Sequence, residues 1–334
     1  MPGTRPDIAG NAIVRRLGLA LAIALAALTT SATAQPYPNR PVRVLVPFAA
    51  GGAVDVLARL LGGKISESIG QPVLIENRPG AGGNLAADAV AKSPADGYTI
   101  LHTPNGQAIS PSLYRKLPFD VFKDFIPVTQ LVSSHLIFVT GPDGPIRSMR
   151  ELIALAKAKP GGLNYGSSGV GNPLHLTMEM FKHAAGVDIL PVPYRSDAQI
   201  NAALIAGEVQ VAVVPLSGAR PLVESGKLRA LGIAGGTRSA AMPDVPTVAE
   251  QGVPGFNSTS WHGFYVAANT PAAIVSRIHL ETAKALHDPQ MAQRLRALTY
   301  EPVGSSPQEF AVFFRSEVEK FAKVVKDAKI PMQD

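Results

Sequence analysis

Short apolar runs alternate with amphipathic helical stretches through most of this chain, and that alternation limits its fold more than any other feature. Strands separated by helices pair in parallel and need helices over both faces of the sheet. Val42-Arg43-Val44-Leu45-Val46 reads as a first strand, residues 54–69 as a helix and Val73-Leu74-Ile75 as a second strand. The turn from Asn77 to Asn84 leads into a helix over 85–91, and Tyr98-Thr99-Ile100-Leu101 gives a third strand. A long β-prone segment then runs from Phe125 through Val139 and can leave one sheet to enter another. A second alternation follows, with helices over 149–158, 174–184, 200–206 and 219–224 and strands over 163–165, 189–192, 209–214 and 228–233. After a loop heavy in Pro and Gly, residues 235–255, comes an aromatic β-prone run from Trp261 to Val266. Helical patterns over 272–287, 289–298 and 307–329 close the chain, and with no strand expected after them they return to the first lobe. The expected fold is α/β in two lobes, each an open, mostly parallel sheet flanked by helices. Two crossover strands between lobes would form a hinge of the kind that closes around a ligand.

The start of the chain reads as an export signal. Arg15-Arg16 precede an apolar run from Leu17 to Leu28 that is too short to span a bilayer, and Ala32-Thr33-Ala34 supplies a small-residue cleavage pattern. Cleavage near Ala34 and a periplasmic mature chain are expected, with an uncleaved anchor helix as the alternative. Val14 and Leu17-Gly18 around the arginine pair fit the twin-arginine signal poorly, which favours general secretion. The domain division is then a leader over 1–34, lobe 1 over 35–136 and 259–334, and lobe 2 over 137–258. The sequence has no cysteine, so disulfides and a thiolate nucleophile are excluded, and packing alone must hold the lobes. A net charge of +6 with no Lys/Arg cluster interleaved with aromatics argues against nucleic-acid binding. A monomer is expected.

Two glycine-bearing turns carry the functional signal. Pro47-Phe48-Ala49-Ala50-Gly51-Gly52-Ala53-Val54-Asp55 and Tyr165-Gly166-Ser167-Ser168-Gly169-Val170-Gly171-Asn172 each follow an apolar run and open a helical pattern. A strand that ends in such a turn and enters a helix leaves backbone N–H groups unpaired at the positive end of the helix dipole. One such turn is commonplace; two, in an exported chain, suggest an anion gripped between lobes.

Further residues carry a resemblance to a known family. Pro47-Phe48-x-x-Gly51-Gly52-x-x-Asp55, Glu76-Asn77-Arg78-Pro79-Gly80-Ala81-Gly82-Gly83-Asn84, Asp96-Gly97-Tyr98-Thr99, the second glycine turn, Val192-Pro193-Tyr194, Asp244-Val245-Pro246-Thr247-Val248-Ala249-Glu250 and Thr270-Pro271 occur in an order and spacing that resembles the Bug, or TctC-like, receptors. These are periplasmic solute-binding proteins of tripartite tricarboxylate transporters, and the likeness covers essentially the whole mature chain. It implies a two-lobed Venus flytrap, binding without chemistry or cofactor, and delivery of a small carboxylate to membrane transporter subunits. It also implies that the two loops act as pincers on a ligand carboxylate, the first through Phe48, Ala49, Ala50, Gly51 and Gly52. The second pincer would be Ser167, Ser168, Gly169, Val170, Gly171 and Asn172.

Other positions stay open between two readings. Asp55, in a first helical turn, can hold its own loop by accepting from N–H groups, or meet an ammonium on an amino-acid ligand. In Tyr194-Arg195-Ser196-Asp197 the family usually has a small residue where Asp197 stands. Ser196 to Gln199 reads as a capping box, while Arg195 and Asp197 facing the cleft would read a second group of the ligand. Tyr194 can lie against the ligand or in a core. Asn105, in the turn after the third strand, and Ser217, after the strand ending at Val214, sit at strand C-terminal ends, where open α/β sheets bind ligands.

Enzymatic readings find less support. Gly166-x-x-Gly169-x-Gly171 lacks the dinucleotide spacing, Gly63-Lys64 is followed by Ile65 rather than Ser or Thr, and Val170 replaces the second glycine of a nucleophile elbow around Ser168. His175, Glu179 and His183 share a helical face but match no recognised zinc spacing. His262 beside Trp261 can reach the cleft mouth or pack between lobes. The leading expectation is a receptor for a di- or tricarboxylate, an aromatic acid or an amino acid. A carboxylate sensor for a signalling partner and an exported hydrolase are the alternatives.

Overall fold

β1 (Val42–Val46), β2 (Val73–Asn77) and β3 (Thr99–Pro104) alternate with α1 (Ala53–Ile69), α2 (Asn84–Ala91) and α3 (Gly106–Leu113). Then follow β4 (Phe125–Thr140), α4 (Met149–Ala158), β5 (Asn164–Ser167), α5 (Pro173–Ala185), β6 (Leu190–Pro193), α6 (Asp197–Ala206), β7 (Val211–Pro215), α7 (Leu216–Glu224) and β8 (Arg229–Ile233). The chain ends with β9 (Thr259–Ala267), α8 (Ala272–His287), α9 (Pro289–Ala297), β10 (Tyr300–Pro302) and α10 (Pro307–Asp327). These elements come from a computed structural model, which describes residues 37–167, 169, 172–194 and 196–333. The expected leader lies outside the described residues, as do Ser168, Val170, Gly171 and Arg195. The strands and helices all belong to the compact unit that begins at Arg40.

The strands form one curled sheet in the order β2-β1-β3-β9-β4-β7-β5-β6, with β8 and β10 also on β4. β1 pairs in parallel with β2 and β3, and β5 in parallel with β6 and β7, as short crossovers through helices require. β4 joins these two parallel groups. Its residues from Phe125 to His135 face β9, and from Leu136 to Val139 they face β7. Its other edge changes partner over the same stretch, from β10 at Val132 to Ser134 to β8 at Ile137 to Thr140. Register shifts against β9 after Pro127 and Gln130 add bends of the kind β-bulges introduce. The return passage differs from expectation: β9 lies wholly beside β3 and β4, and the chain crosses back just before it, where the Ser258 N–H donates to Ala234.

Side-chain alternation along β4 sorts the cores. Leu136 and Phe138 point to one face, with Met149, Leu152, Phe181 and Phe256, while Ile137 and Val139 point to the other, with Ile200, Leu204 and Val214. Burial on both faces explains why this stretch is apolar without a break. The first group of strands packs on α10, whose Phe310, Phe314 and Phe321 share a core with Leu101, Phe125, Trp261 and Tyr265. That helix starts on a capping box, the Ser306 side chain accepting from the Glu309 N–H and Glu309 reaching back to the Ser306 N–H. The Trp261 indole N–H donates to buried Glu317 Oε2 at 2.7 Å, which satisfies a polar atom inside an aromatic cluster.

Two elements were not expected. α3 begins at the end of the turn expected over Thr103 to Gly106 and runs through a stretch for which no element was expected, with Pro111 accommodated inside an eight-residue helix. β10 is three residues long, too short for any periodicity, and Thr299 before it takes a left-handed backbone, φ 61°. A β-branched residue in that region is strained, and its buried hydroxyl has no partner among the described residues.

Among the described residues, no helix is long and apolar enough to cross a membrane, and no group of His, Cys, Asp and Glu could hold a metal ion. The Glu179 carboxylate instead accepts from the Tyr165 hydroxyl at 2.8 Å and from Lys182 at 2.9 Å.

Candidate functional site

The first glycine loop leaves the C-terminal end of β1 exposed to solvent from Ala49 to Gly52, with Phe48 half-buried. Gly51 adopts φ 84°, a left-handed conformation that a side chain would strain, and Gly52 stands at the N-cap of α1 without any side chain capping the first turn. The N–H groups of that turn therefore face outward.

Asp55 shapes this loop. Its side chain is 3% exposed, and it accepts from the Gly51 N–H, the Arg59 guanidinium and the Asn77 amide, each at 2.9 Å. Asn77 also donates to the Phe48 carbonyl at 2.9 Å and accepts from Arg59 at 3.1 Å. Burial alone would raise the Asp55 pKa, but the hydrogen bonds from Arg59, Gly51 and Asn77 outweigh it and hold the carboxyl below its ordinary range. Asp55 thus holds the loop and has its charge answered by Arg59, which leaves the ammonium role without a free carboxylate. Asp55→Ala is expected to cost about 1–2 kcal/mol in a chemical denaturation midpoint, because it removes the hydrogen bonds that the buried carboxylate accepts from Gly51 and Asn77 and with them the brace of the loop. A loss under about 1 kcal/mol would mean that the loop is held by other means.

In the second group of strands, three loops lie at one end of the sheet. Ser167 pairs with Pro193 and Gly166 with Ala212, so the turns that follow β5, β6 and β7 sit side by side. Buried Ser167 accepts from the Gly169 N–H at 3.3 Å, and Gly169 takes φ 107°. Asn172 caps α5, accepting from the Leu174 N–H at 2.9 Å, and Ser196 caps α6, accepting from Gln199 at 3.3 Å. α7 begins after Pro215 with no side-chain cap, like α1.

Tyr300 connects the two groups of loops. It is 3% exposed, and its hydroxyl reaches the Ala53 carbonyl in the first turn of α1 at 3.4 Å. Burial pushes its pKa up to about 12; the Ser217 hydroxyl of α7 beside the phenol oxygen lowers it, and the Asp197 charge of α6 raises it further. One phenol therefore marks the place where the first turns of α1, α6 and α7 converge. Nothing in the sequence around Leu298-Thr299-Tyr300-Glu301 flags this residue, and its contact with Ala53 spans most of the chain. Asp197 is partly exposed; burial raises its carboxyl above the ordinary range, and it has no hydrogen-bond partner among the described residues.

Other expected contacts take different places. Asn105 is fully buried, donating to the Thr259 carbonyl at 3.3 Å and accepting from the Ser260 hydroxyl and the Trp261 N–H, each at 3.1 Å. Its amide ties β3 to β9 instead of meeting a ligand. Tyr194 packs its ring on the core beside Ile200 and aims its hydroxyl at Glu208, 3.4 Å away at the exposed side. It turns from the other loops because an apolar ring gains more from the core than from water. His262 lies below the surface, 3.1 Å from His102 across β3 and β9, with its ring edge-on to Tyr300 at a centroid distance of 5.6 Å. Burial draws its pKa down to about 3, so it stays neutral under the site and does not reach the cleft mouth.

The family model for the receptor of the tripartite tricarboxylate transporter family, TctC, matches residues 57–330. A UPF0065 protein from the tcbD-tcbE intergenic region of Pseudomonas sp. strain P51 is 36% identical over 329 residues, 97% of each chain. Among solved structures, Rpa4515 of R. palustris with adipate superposes with a TM-score of 0.84 at 36% identity, covering 89% of this chain and all of that one. MatC of Rhodopseudomonas palustris with bound malate gives 0.80 at 31% identity, covering 86% of this chain and 100% of the other. With a family match over most of its length and such relatives along nearly all of it, this chain belongs to the tripartite tricarboxylate transporter receptor family.

Proposed function

We propose that this protein is a periplasmic receptor that captures a small organic carboxylate between its two lobes and delivers it to the membrane subunits of a tripartite transporter. The observation that carries this reading is the convergence on the Tyr300 hydroxyl of α1 from one group of strands and α6 and α7 from the other. Two of those helices, α1 and α7, start without a side-chain cap, so their first-turn N–H groups are available to an anion, where the helix dipoles add to the attraction. The adipate bound by Rpa4515 and the malate bound by MatC support a carboxylate as the ligand class. In this reading Phe48 to Gly52 form one pincer and Ser167 to Asn172 the other. Asp197 and Ser217 complete the wall, and lobe 1, residues 35–136 and 259–334, closes on lobe 2, residues 137–258. Backbone donors are fixed in place and lose little side-chain entropy, so they suit a receptor that binds without reacting.

Thermal unfolding of the purified mature protein, refolded to strip any carried ligand, tests the reading against mono-, di- and tricarboxylates, aromatic acids and amino acids. A ligand at a hundred times its Kd should add about 2.7 kcal/mol of stability, several degrees in Tm for a chain of this size. No shift with any of these acids, or consumption of one of them, would overturn it. Uptake of the acid that binds, in cells lacking this protein, checks delivery: undiminished uptake would remove the transporter from the proposal.

A further inference from the structure

Both passages of the chain between the two groups of strands meet at one short backbone segment. The first passage is β4, whose pairing changes from β9 and β10 to β7 and β8 between Ser134 and Leu136. The second lies just before β9, at Asn257 and Ser258. Ala234, directly after β8, bonds to both: its N–H donates to the Leu136 carbonyl and its carbonyl accepts from the Ser258 N–H, each at 2.8 Å. The next two residues are Gly235 and Gly236, and neither adopts a positive φ, so backbone conformation does not call for glycine at either. Close approach does. A Cβ on Gly235 would lie 3.0 Å from His135 Nδ1, and one on Gly236 would lie 3.2 Å from Cγ and Nδ2 of Asn257. The two contacts differ in kind. Asn257 Oδ1 accepts from the Gly236 N–H at 2.9 Å, which fixes the second passage to the segment. His135 Nδ1 is buried and has no hydrogen-bond partner among the described residues, so at that atom the ring touches Gly235 without a bond. A van der Waals contact has no directional bond to break when its two sides shift. Val132 and Leu136 are each held in packed surroundings, so a change in angle between the two groups falls on Ser133 to His135.

We propose that the clearance between Gly235 and the His135 ring sets the balance between open and closed lobes, so that ligand affinity is tuned at a contact outside the pincers. A side chain at position 235 would press on His135 in the arrangement described and disfavour it against one in which the two passages stand differently. Affinity follows, because a receptor whose binding-competent state is only partly populated binds more weakly by that fraction. This inference rests on the two-lobed receptor reading. It adds the place in the chain where closing is controlled.

Distances between paired nitroxide labels, read by double electron–electron resonance on the full mature chain, test it. The sequence has no cysteine, so Val312→Cys in α10 and Lys157→Cys in α4, both exposed, place one label on each lobe and none elsewhere. With the wild-type hinge, two interlobe distances should appear, in the chain alone or with adipate, malate or another acid of the thermal panel. In Gly235→Ala, under the same conditions, the ratio of the two populations should move by about fivefold or more away from the distance of the arrangement described. Adding His135→Ala, which removes the ring that the methyl group meets, should bring the ratio to within about twofold of that in His135→Ala alone. Circular dichroism verifies folding; where Gly235→Ala does not fold, Gly236→Ala takes its place, with Asn257→Ala as the rescue. A single interlobe distance that no acid changes overturns the proposal, because there is then no motion to control. A ratio unchanged in the glycine variant, or a change that the rescue does not reverse, also overturns it while the receptor reading stands. Failure of every acid to shift thermal unfolding overturns the receptor reading whatever the distances show, and the link to affinity falls with it.

Discussion

Gly263→Ala is expected to destabilise the protein by about 3 kcal/mol or more, measured as the shift in a urea midpoint. A methyl group at this position in β9 would lie 2.3 Å from Phe310 Cζ and 2.8 Å from Cε1, with Tyr265 Cε2 at 3.2 Å. The Phe310 ring is fully buried and has nowhere to go: Trp261, Tyr265 and Phe314 stand around it at centroid distances of 5.7, 5.2 and 6.4 Å. Relief would require α10 to lift from the sheet, which opens the core that it closes. Gly218→Ala in α7 is the control, since a Cβ there meets nothing within 4 Å and helical alanine is favoured over glycine. A Gly263→Ala variant within about 1 kcal/mol of wild type would mean that α10 packs more loosely than the described contacts imply.

Acid should weaken the fold well before its carboxylates titrate. His102 and His262 are buried against one another, 3.1 Å apart, so one ring nitrogen donates and the other accepts, and both rings are neutral. Burial draws the His262 pKa down to about 3; burial, and then the charge of His262, holds His102 well below the ordinary imidazole value. Because the folded pKa values are depressed, the unfolded chain takes up protons first. Stability is complete above about pH 6.5 and falls as the pH drops through the window toward about 3, by about 1.4 kcal/mol per unit for each histidine. At pH 5 the pair should therefore have removed about 4 kcal/mol. His135 and His175, both shifted down by partial burial, act in the same direction. Urea midpoints at pH 7.5, 6 and 5 give the slope. In His262→Gln, whose amide can still bond His102, the slope should fall by roughly half of the pair's share. A wild-type midpoint that does not change over this range would overturn the assignment of neutral rings.

The strands and helices of both sheet groups were legible because their burial is periodic. β4 stood out as a long β-prone segment, since both of its faces are covered after Leu136. α3 was hidden by Asn105, Gly106 and Pro111, whose local preferences oppose a helix that tertiary packing of Ala108, Ile109 and Leu113 nevertheless secures. The glycine loops could be read because backbone conformation dictates their composition. Their supports could not: Arg59 and Asn77 meet Asp55 through folding of β2 beside β1, and Tyr300 reaches Ala53 from the far end of the chain. Asn105 and Ser217 were both placed at strand ends by pattern alone, but which way each side chain turns is decided by its neighbours. One is consumed by β9 and the other stands beside Tyr300.

The exchange of partners along β4 limits how the chain can vary in length. Side chains alternate across a strand, so one residue inserted between Ser134 and Leu136 would turn the downstream half over. Phe138, built for the cavity beside Phe181 and Phe256, would then be forced into the space that Ile137 and Val139 fill against Leu204 and Val214. Bending at this junction leaves both packings intact, whereas a single-codon indel exchanges them. A strand that serves two cores at once can flex while its residue count stays fixed.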